Sequence, residues 1–274
     1  MLVFSNAKIN IGLNIVEKRN DGFHNLETIF YPIKLSDGLE IVESNSGFEF
    51  SNSGIVVDST TENNLIVKAY NLLKSDFQLS DVKIHLHKII PFGAGLGGGS
   101  SNAAFAIKTL NSVFSLQLSA EQMIEYAKKL GSDCAFFINN SPVFAFEKGD
   151  MFQEISLDLS KYQIILIKPN VNVSTKDAYS NVQISTPKYS LKESIKKPIE
   201  EWKNLIFNDF EKNNFPKFPI IEKIKHELYK QGAIYASMSG SGSSVFGIFK
   251  NTENVNINID NTFIWKNDLG LLMR

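Results

Sequence analysis

Residues 91–104 read Pro91-Phe92-Gly93-Ala94-Gly95-Leu96-Gly97-Gly98-Gly99-Ser100-Ser101-Asn102-Ala103-Ala104. Glycine permits φ > 0 and puts no side chain between its N–H group and a ligand. Ser100 or Ser101 suits a helix N-cap, which predicts a helix from there to Val113. A glycine loop feeding a helix N-terminus offers free N–H donors and the positive end of the helix dipole, and so reads as a phosphate site, here for the phosphates of ATP. Rival readings fit less well. A flexible linker would not carry apolar Phe92 and Leu96 between ordered elements. A P-loop would end in Gly-Lys-Ser/Thr, and no lysine closes this run. Gly93, Gly95 and Gly98 satisfy G-x-G-x-x-G, but a Rossmann fingerprint follows a fully buried strand and leads through one helix to another strand. Here the preceding Val82, Ile84 and Leu86 alternate with Lys83, His85 and His87, and a second helix follows the first.

Upstream, Ile9, Ile11, Leu13 and Ile15 alternate with Asn10, Gly12 and Asn14, so Val3 to Val16 reads as a strand. Lys8 opens it on the face opposite Ile9, where its plainest reading is a solvated charge. Asn20-Asp21-Gly22 marks a turn, and Leu26 to Ile33 a second strand. Leu39 to Val42, Phe48 to Phe50 and Ile55 to Val57 read as short antiparallel strands. Asn63-Asn64 caps a helix whose apolar positions are Leu65, Ile66, Ala69, Leu72 and Leu73. His85-x-His87 has the spacing for a metal on one strand face, but no cysteine or third ligand is near it in sequence.

Downstream, Ser119-x-x-Gln122 is a capping box for a helix over Ala120 to Leu130. Asp133 follows in Gly131-Ser132-Asp133-Cys134, where a helix cap and a functional acid are both open readings, and Cys134 reads as a small buried residue. Val143 to Glu147 is a strand, and the turn Lys148-Gly149-Asp150 is the expected boundary between domains 1–150 and 151–274. Tyr162 to Ile167 reads as a buried strand, Lys168 to Tyr179 as a loop, and roughly 190–213 and 220–231 as two or three helices. The small residues Ser237 to Ser244 suggest close approach to a ligand before the strand Val245 to Phe249. The Asn-rich stretch 251–261 reads as a mobile or edge segment, and 262–266 as a last strand.

The chain has 274 residues, 43% hydrophobic and 21% charged, with net charge −1, so no broad electrostatic case exists for nucleic acid or an anionic membrane. One cysteine permits no intrachain disulfide and fits a reducing cytoplasm. No signal peptide and no apolar run long enough for a membrane span is expected.

The run 91–104 resembles the central motif of the GHMP kinases, the small-molecule kinases that include galactokinase, homoserine kinase and mevalonate kinase. Further blocks fall in the family's order: Ala7-Lys8-Ile9-Asn10, Asn64-Leu65-Ile66, Gly131-Ser132-Asp133 and Ser237 to Ser244. Asp21-Gly22-Phe23-His24 is similar to the signature of the branch whose acceptor is cytidine-diphosphate-linked methylerythritol. The chain departs from the pattern at Phe23, where tyrosine is commoner, at Cys134-Ala135, where Val-Pro is usual, and at Ser239 and Ser241.

The resemblance implies an α+β fold of two domains, each a largely antiparallel sheet with helices, with the active site in the cleft between them. It implies ATP held by Pro91 to Ser101 and Mg2+, with Ser100 or Ser101 as a possible ligand and no acid assigned among Glu121, Gln122 and Glu125. Asp133 would take the proton of the acceptor hydroxyl and Lys8 would orient both; Asn10, Phe23, His24, Thr175 and Tyr179 match substrate-binding positions. The expected setting is cytoplasmic, as a monomer or weak homodimer. The other readings are a homoserine- or mevalonate-type kinase, which Phe23-His24 opposes, and a non-catalytic nucleotide-binding module, which Lys8 and Asp133 oppose.

Overall fold

The alternation at the start of the chain folds as one long strand, β1 (Leu2–Lys18), with Ile9, Ile11, Leu13 and Ile15 all buried. The computed structural model describes residues 1–55, 61–180, 182, 184, 186–250, 255, 257 and 259–267. The chain divides into two compact units, each assembled from three stretches: Met1–Lys8, Pro32–Phe92 and Gly97–Ser141 in the first, Ile9–Tyr31, Gly93–Leu96 and Pro142–Arg274 in the second. The expectation of an α+β fold in two domains holds.

In the first unit, the C-terminal part of β2 (His24–Glu43) pairs antiparallel with β4 (Val82–Lys88), Gly38 opposite His87. β3 (Glu49–Gly54) lies on the other side of β4. The expected antiparallel arrangement is corrected there: β3 runs parallel to β4, Phe50 opposite Ile84. Ser51 and Ser53 on β3 hydrogen-bond the His85 ring, and Ser53 also the His87 ring, each at 2.9 Å, fastening that register. The separate strands expected at 26–33 and 39–42 are one element, because the turn-like Asp37 between them is buried and engaged by the backbone N–H groups of Ile89 and Ile90, just beyond β4. Residues 56 and 57 of the strand expected at 55–57 lie outside the described residues.

Helices α1 (Leu65–Phe77), α2 (Gly98–Val113), α3 (Ala120–Lys128) and α4 (Phe136–Asn139) complete this unit. Asn64 caps α1 by accepting from the Ile66 N–H at 2.9 Å, and the Ser119–Gln122 capping box closes on α3. The start of α2 differs from expectation: its N-cap is Gly97, at φ 68°, and both serines fall inside the helix. Only a residue that accepts left-handed φ serves at that position.

In the second unit, the N-terminal part of β2 pairs with β5 (Val143–Phe146), which pairs with β6 (Met151–Glu154), both antiparallel. A second antiparallel sheet is built from β7 (Tyr162–Pro169), β8 (Tyr235–Met238), β9 (Val245–Lys250) and β10 (Thr262–Lys266) in the order β10-β7-β9-β8. Ile165, Ile167 and Val245 of this sheet pack with Phe210, Ile221, Ile224 and Leu228 into one core. The loop expected over 168–179 is corrected in part: α5 (Thr175–Ser180) occupies its end, with the Ser174 hydroxyl accepting from the Asp177 N–H. Four helices replace the two or three expected, α6 (Leu191–Ser194), α7 (Ile199–Leu205), α8 (Glu211–Lys217) and α9 (Pro219–Lys230); Pro198 separates α6 from α7 and Pro219 opens α9. Of the Asn-rich stretch, residues 251–254, 256 and 258 lie outside the described residues, whereas Val255 and Ile257 are buried in the core.

Candidate active site

Lys8 sits in β1 with its side chain buried, although the plainest sequence reading exposes it. Its Nζ lies 3.7 Å from Asp133 Oδ2. Burial pushes the lysine below its ordinary value of 10.5, and Asp133 opposes that shift through charge and hydrogen bonding. Asp133 is in the turn ahead of α4, but the N-cap of that helix is Ala135, which makes no side-chain cap bond. The cap reading of Asp133 therefore lacks its helix, and the carboxylate is turned to Lys8 instead. Next to it, burial raises the Cys134 thiol to about 11 against the effect of a hydrogen bond with Ser100. That thiol is an inert packing group.

The five glycines of the loop sit in different surroundings. A Cβ on Gly95 (φ 72°) would run into the Ser239 carbonyl oxygen. On Gly97 (φ 68°) it would stand 3.0 Å from the Phe137 ring and 3.3 Å from Lys8 Cε. On Gly98 it would stand 2.9 Å from Ile90 and 3.1 Å from Lys88 Nζ. Packing within the protein thus accounts for these three. Gly99 is different: a Cβ there would meet only Leu65, at 3.9 Å, and Gly93 (φ 57°) has nothing among the described residues within 4 Å of that position. Gly97 also brings Lys8 against the start of α2, so the lysine, Asp133 and the helix N-terminus are gathered in the first unit.

The tip of the loop, Gly93–Leu96, belongs to the second unit. There the Ser239 hydroxyl donates to the Gly95 carbonyl at 2.8 Å and accepts the Asn10 N–H at 3.1 Å. The Asn10 amide donates to Thr28 Oγ1 at 3.0 Å, and Thr28 donates on to the Gly12 carbonyl at 2.6 Å. Ser237 to Ser244 therefore approaches the glycine loop closely.

His24 stacks on Tyr179 with ring centroids 5.1 Å apart, and Tyr179 meets Phe210 edge-on at 4.8 Å. Burial, then the charge of Lys18, lowers the His24 imidazole below its ordinary value. Phe23 stands apart from this stack: it is 61% exposed, with Lys148 Nζ 5.6 Å from its ring centre. Thr175, on α5, approaches the Ser241 hydroxyl at 3.4 Å.

Sequence reasoning missed a buried knot at the base of the loop. Asp37 Oδ2 accepts from Lys88 Nζ at 2.5 Å and from the Asn102 amide at 2.9 Å, while Oδ1 accepts the N–H groups of Ile89 and Ile90. Burial lowers the Lys88 ammonium, opposed by Asp37. No local signal marked this knot, because Asp37-Gly38 reads as a turn between two strands. The Ser101 hydroxyl, in the first turn of α2, is buried with no hydrogen-bond partner among the described residues. No cluster of three or more His, Cys, Asp or Glu residues placed for a metal occurs among the described residues. Likewise no helix among them is long and apolar enough to cross a membrane.

The GHMP kinase N-terminal domain matches residues 64–141, and the GHMP kinase C-terminal domain matches residues 190–257. The chain belongs to the GHMP kinase family. It is 57% identical over 258 residues to 4-diphosphocytidyl-2-C-methyl-D-erythritol kinase of Bacteroides fragilis, a match covering 93% of this chain and 94% of that one. A solved structure of 4-(cytidine 5'-diphospho)-2C-methyl-D-erythritol kinase superposes with TM-score 0.79 at 28% identity, covering 90% of each chain. The mevalonate kinase of Methanococcus jannaschii shares the fold, with TM-score 0.69 at 15% identity over 97% of each chain.

Proposed function

We propose that the protein transfers the γ-phosphoryl group of ATP to the 2-hydroxyl of 4-diphosphocytidyl-2-C-methyl-D-erythritol, a step of non-mevalonate isoprenoid precursor synthesis, in the cytoplasm. The observation that carries the chemistry is the Lys8–Asp133 pair at 3.7 Å, set against the N-terminus of α2 through Gly97. The high identity to a kinase named for this substrate supports the acceptor.

Phosphoryl transfer asks the protein mainly to position reactants and stabilise charge. The backbone of Pro91 to Ser101 holds the nucleotide phosphates, with N–H groups at the start of α2 directed at anions. Asp133 accepts the proton of the acceptor hydroxyl at its carboxylate, and Lys8 orients that carboxylate and the hydroxyl. A loose transition state needs little activation of the attacking hydroxyl, so a positioned carboxylate suffices to take its proton. Asn10, Phe23, His24, Thr175 and Tyr179 bind the cytidyl substrate, the aromatic rings giving a base a surface to stack on. Ser100 or Ser101 would hold magnesium, and the buried Ser101 hydroxyl, which has no hydrogen-bond partner among the described residues, fits that role. When bound, Mg2+ offsets charge on the phosphate oxygens.

The test is ADP release measured with a panel of acceptors: the cytidyl substrate, free methylerythritol 4-phosphate, homoserine and mevalonate. Turnover with the cytidyl compound alone is expected. Equal turnover of the free phosphate removes the cytidine from the reading, homoserine or mevalonate as best acceptor moves the protein to another branch, and no turnover with any of them leaves a nucleotide-binding module.

A further inference from the structure

We infer that Asp37 is a positioning residue of the glycine loop, its one carboxylate tying the loop's two ends together and so fixing the N–H groups offered to a nucleotide. The inference rests on the kinase reading above.

Asp37 is fully buried. On the incoming side of the loop its Oδ1 takes the N–H groups of Ile89 and Ile90, at 2.7 and 2.8 Å, immediately before Pro91. On the outgoing side its Oδ2 takes the amide of Asn102, at 2.9 Å, from within α2. Lys88 Nζ completes the set at 2.5 Å. A buried carboxylate is tolerable only while its lone pairs are filled. No donor can leave without exposing uncompensated charge, so the four hold one another in place. Between the tied ends run Gly93, Gly95 and Gly97, all at positive φ. Such a segment is intrinsically free, and fixing its ends removes much of the entropy that a ligand would otherwise have to remove on binding.

The same arrangement removes Lys88 from the list of phosphate ligands. Its side chain is 1% exposed and committed to Asp37, with Gly98 supplying the space it needs. A lysine three residues before the loop acts through the carboxylate rather than on the ligand.

ATP binding to the full chain by calorimetry, together with steady-state kinetics, tests this. Asn102→Ala cuts the outgoing tie and leaves the ion pair intact. It is expected to weaken ATP binding about tenfold and raise KM for ATP alike, with KM for the cytidyl acceptor within about twofold. Asp37→Asn turns an amide toward two donors and is expected to do more; if it fails to fold, Asn102→Ala carries the test. Ser5→Ala removes the other bond of the Asn102 amide, to Ser5 Oγ at 2.7 Å, and is expected to bind ATP like the unmodified protein. A merely structural role would lower the melting temperature of Asn102→Ala and leave both KM values alone. ATP affinity of Asn102→Ala within twofold of the unmodified protein overturns the inference, as does an equal loss in Ser5→Ala. Failure of the unmodified protein to bind ATP overturns the kinase reading and the inference with it.

Discussion

Lys8 Nζ faces Asp133 Oδ2 at 3.7 Å although one residue belongs to the first strand and the other to the turn before α4. If the two act as a unit, Asp133→Asn lowers kcat by about 10²-fold or more with ATP affinity unchanged. Lys8→Met does the same, and the double variant is little worse than either single one. Asp133 caps no helix, so a fall in the melting temperature of Asp133→Asn reports the buried Lys8 ammonium left without the Asp133 charge. Near-normal kcat in both single variants would return both residues to structure.

Raising the pH should move activity and stability in opposite directions through Lys8. Burial sets its folded value below 10.5, so between that lowered value and 10.5 the unfolded chain holds more protons than the folded one. The burial penalty is complete below that window and lifts as pH rises through it, so stability gains with pH there. Relative to Lys8→Met, the unmodified protein should therefore gain unfolding free energy on the alkaline side in denaturant titrations. Meanwhile kcat should fall with an apparent pKa below 10.5, because deprotonation removes the ammonium that orients Asp133.

The His24–Tyr179 stack makes substitutions there separable. Stacking a base on an aromatic ring is worth about 1–3 kcal/mol, so Phe23→Ala or Tyr179→Ala should raise KM for the cytidyl substrate roughly tenfold and spare KM for ATP. Tyr179→Ala also strips support from His24 and Phe210 and should lower the melting temperature. Exposed Phe23 makes no such contribution, so Phe23→Ala should melt like the unmodified protein.

The loop glycines should respond unequally to alanine. Gly95→Ala meets both a positive φ and the Ser239 carbonyl and should cost more than about 1 kcal/mol in thermal melts. Gly98→Ala should disturb Lys88 and Ile90. Gly99→Ala finds open space inside a helix and should match or exceed the unmodified protein by about 0.5–1 kcal/mol. Weaker ATP binding by that well-folded variant would mark Gly99 as a point of ligand approach.

Periodicity made β1, β4, β7 and β9 legible, because each buries one or both faces and so writes its pattern into the sequence. The caps of α1 and α3 were legible because capping is local chemistry. The Lys8–Asp133 pair was visible as a pair only through family resemblance: residue by residue, one reads as a surface charge and the other equally as a cap or a functional acid. Asp37 was invisible for the same reason, since Asp-Gly reads locally as a turn while its partners lie at 88–90 and 102. The parallel register of β3 depends on a distant strand, and nothing within its own residues specifies a direction. Glycine density proved an ambiguous signal, with Gly95, Gly97 and Gly98 explained by neighbouring protein atoms.

The interleaving of the two units bears on how the chain is made. Ile9–Tyr31 and Gly93–Leu96 emerge early, but the remainder of their unit begins only at Pro142. Until Ser239 leaves the ribosome, the Asn10 N–H and the Gly95 carbonyl lack the hydroxyl that joins them. The first unit has all its residues once Ser141 is out. During translation of the last stretch, Leu13 and Ile15 would still lack the core partners Ile165, Ile167, Phe210, Ile221 and Leu228, leaving apolar surface open in a nascent form suited to chaperone holding rather than to early release.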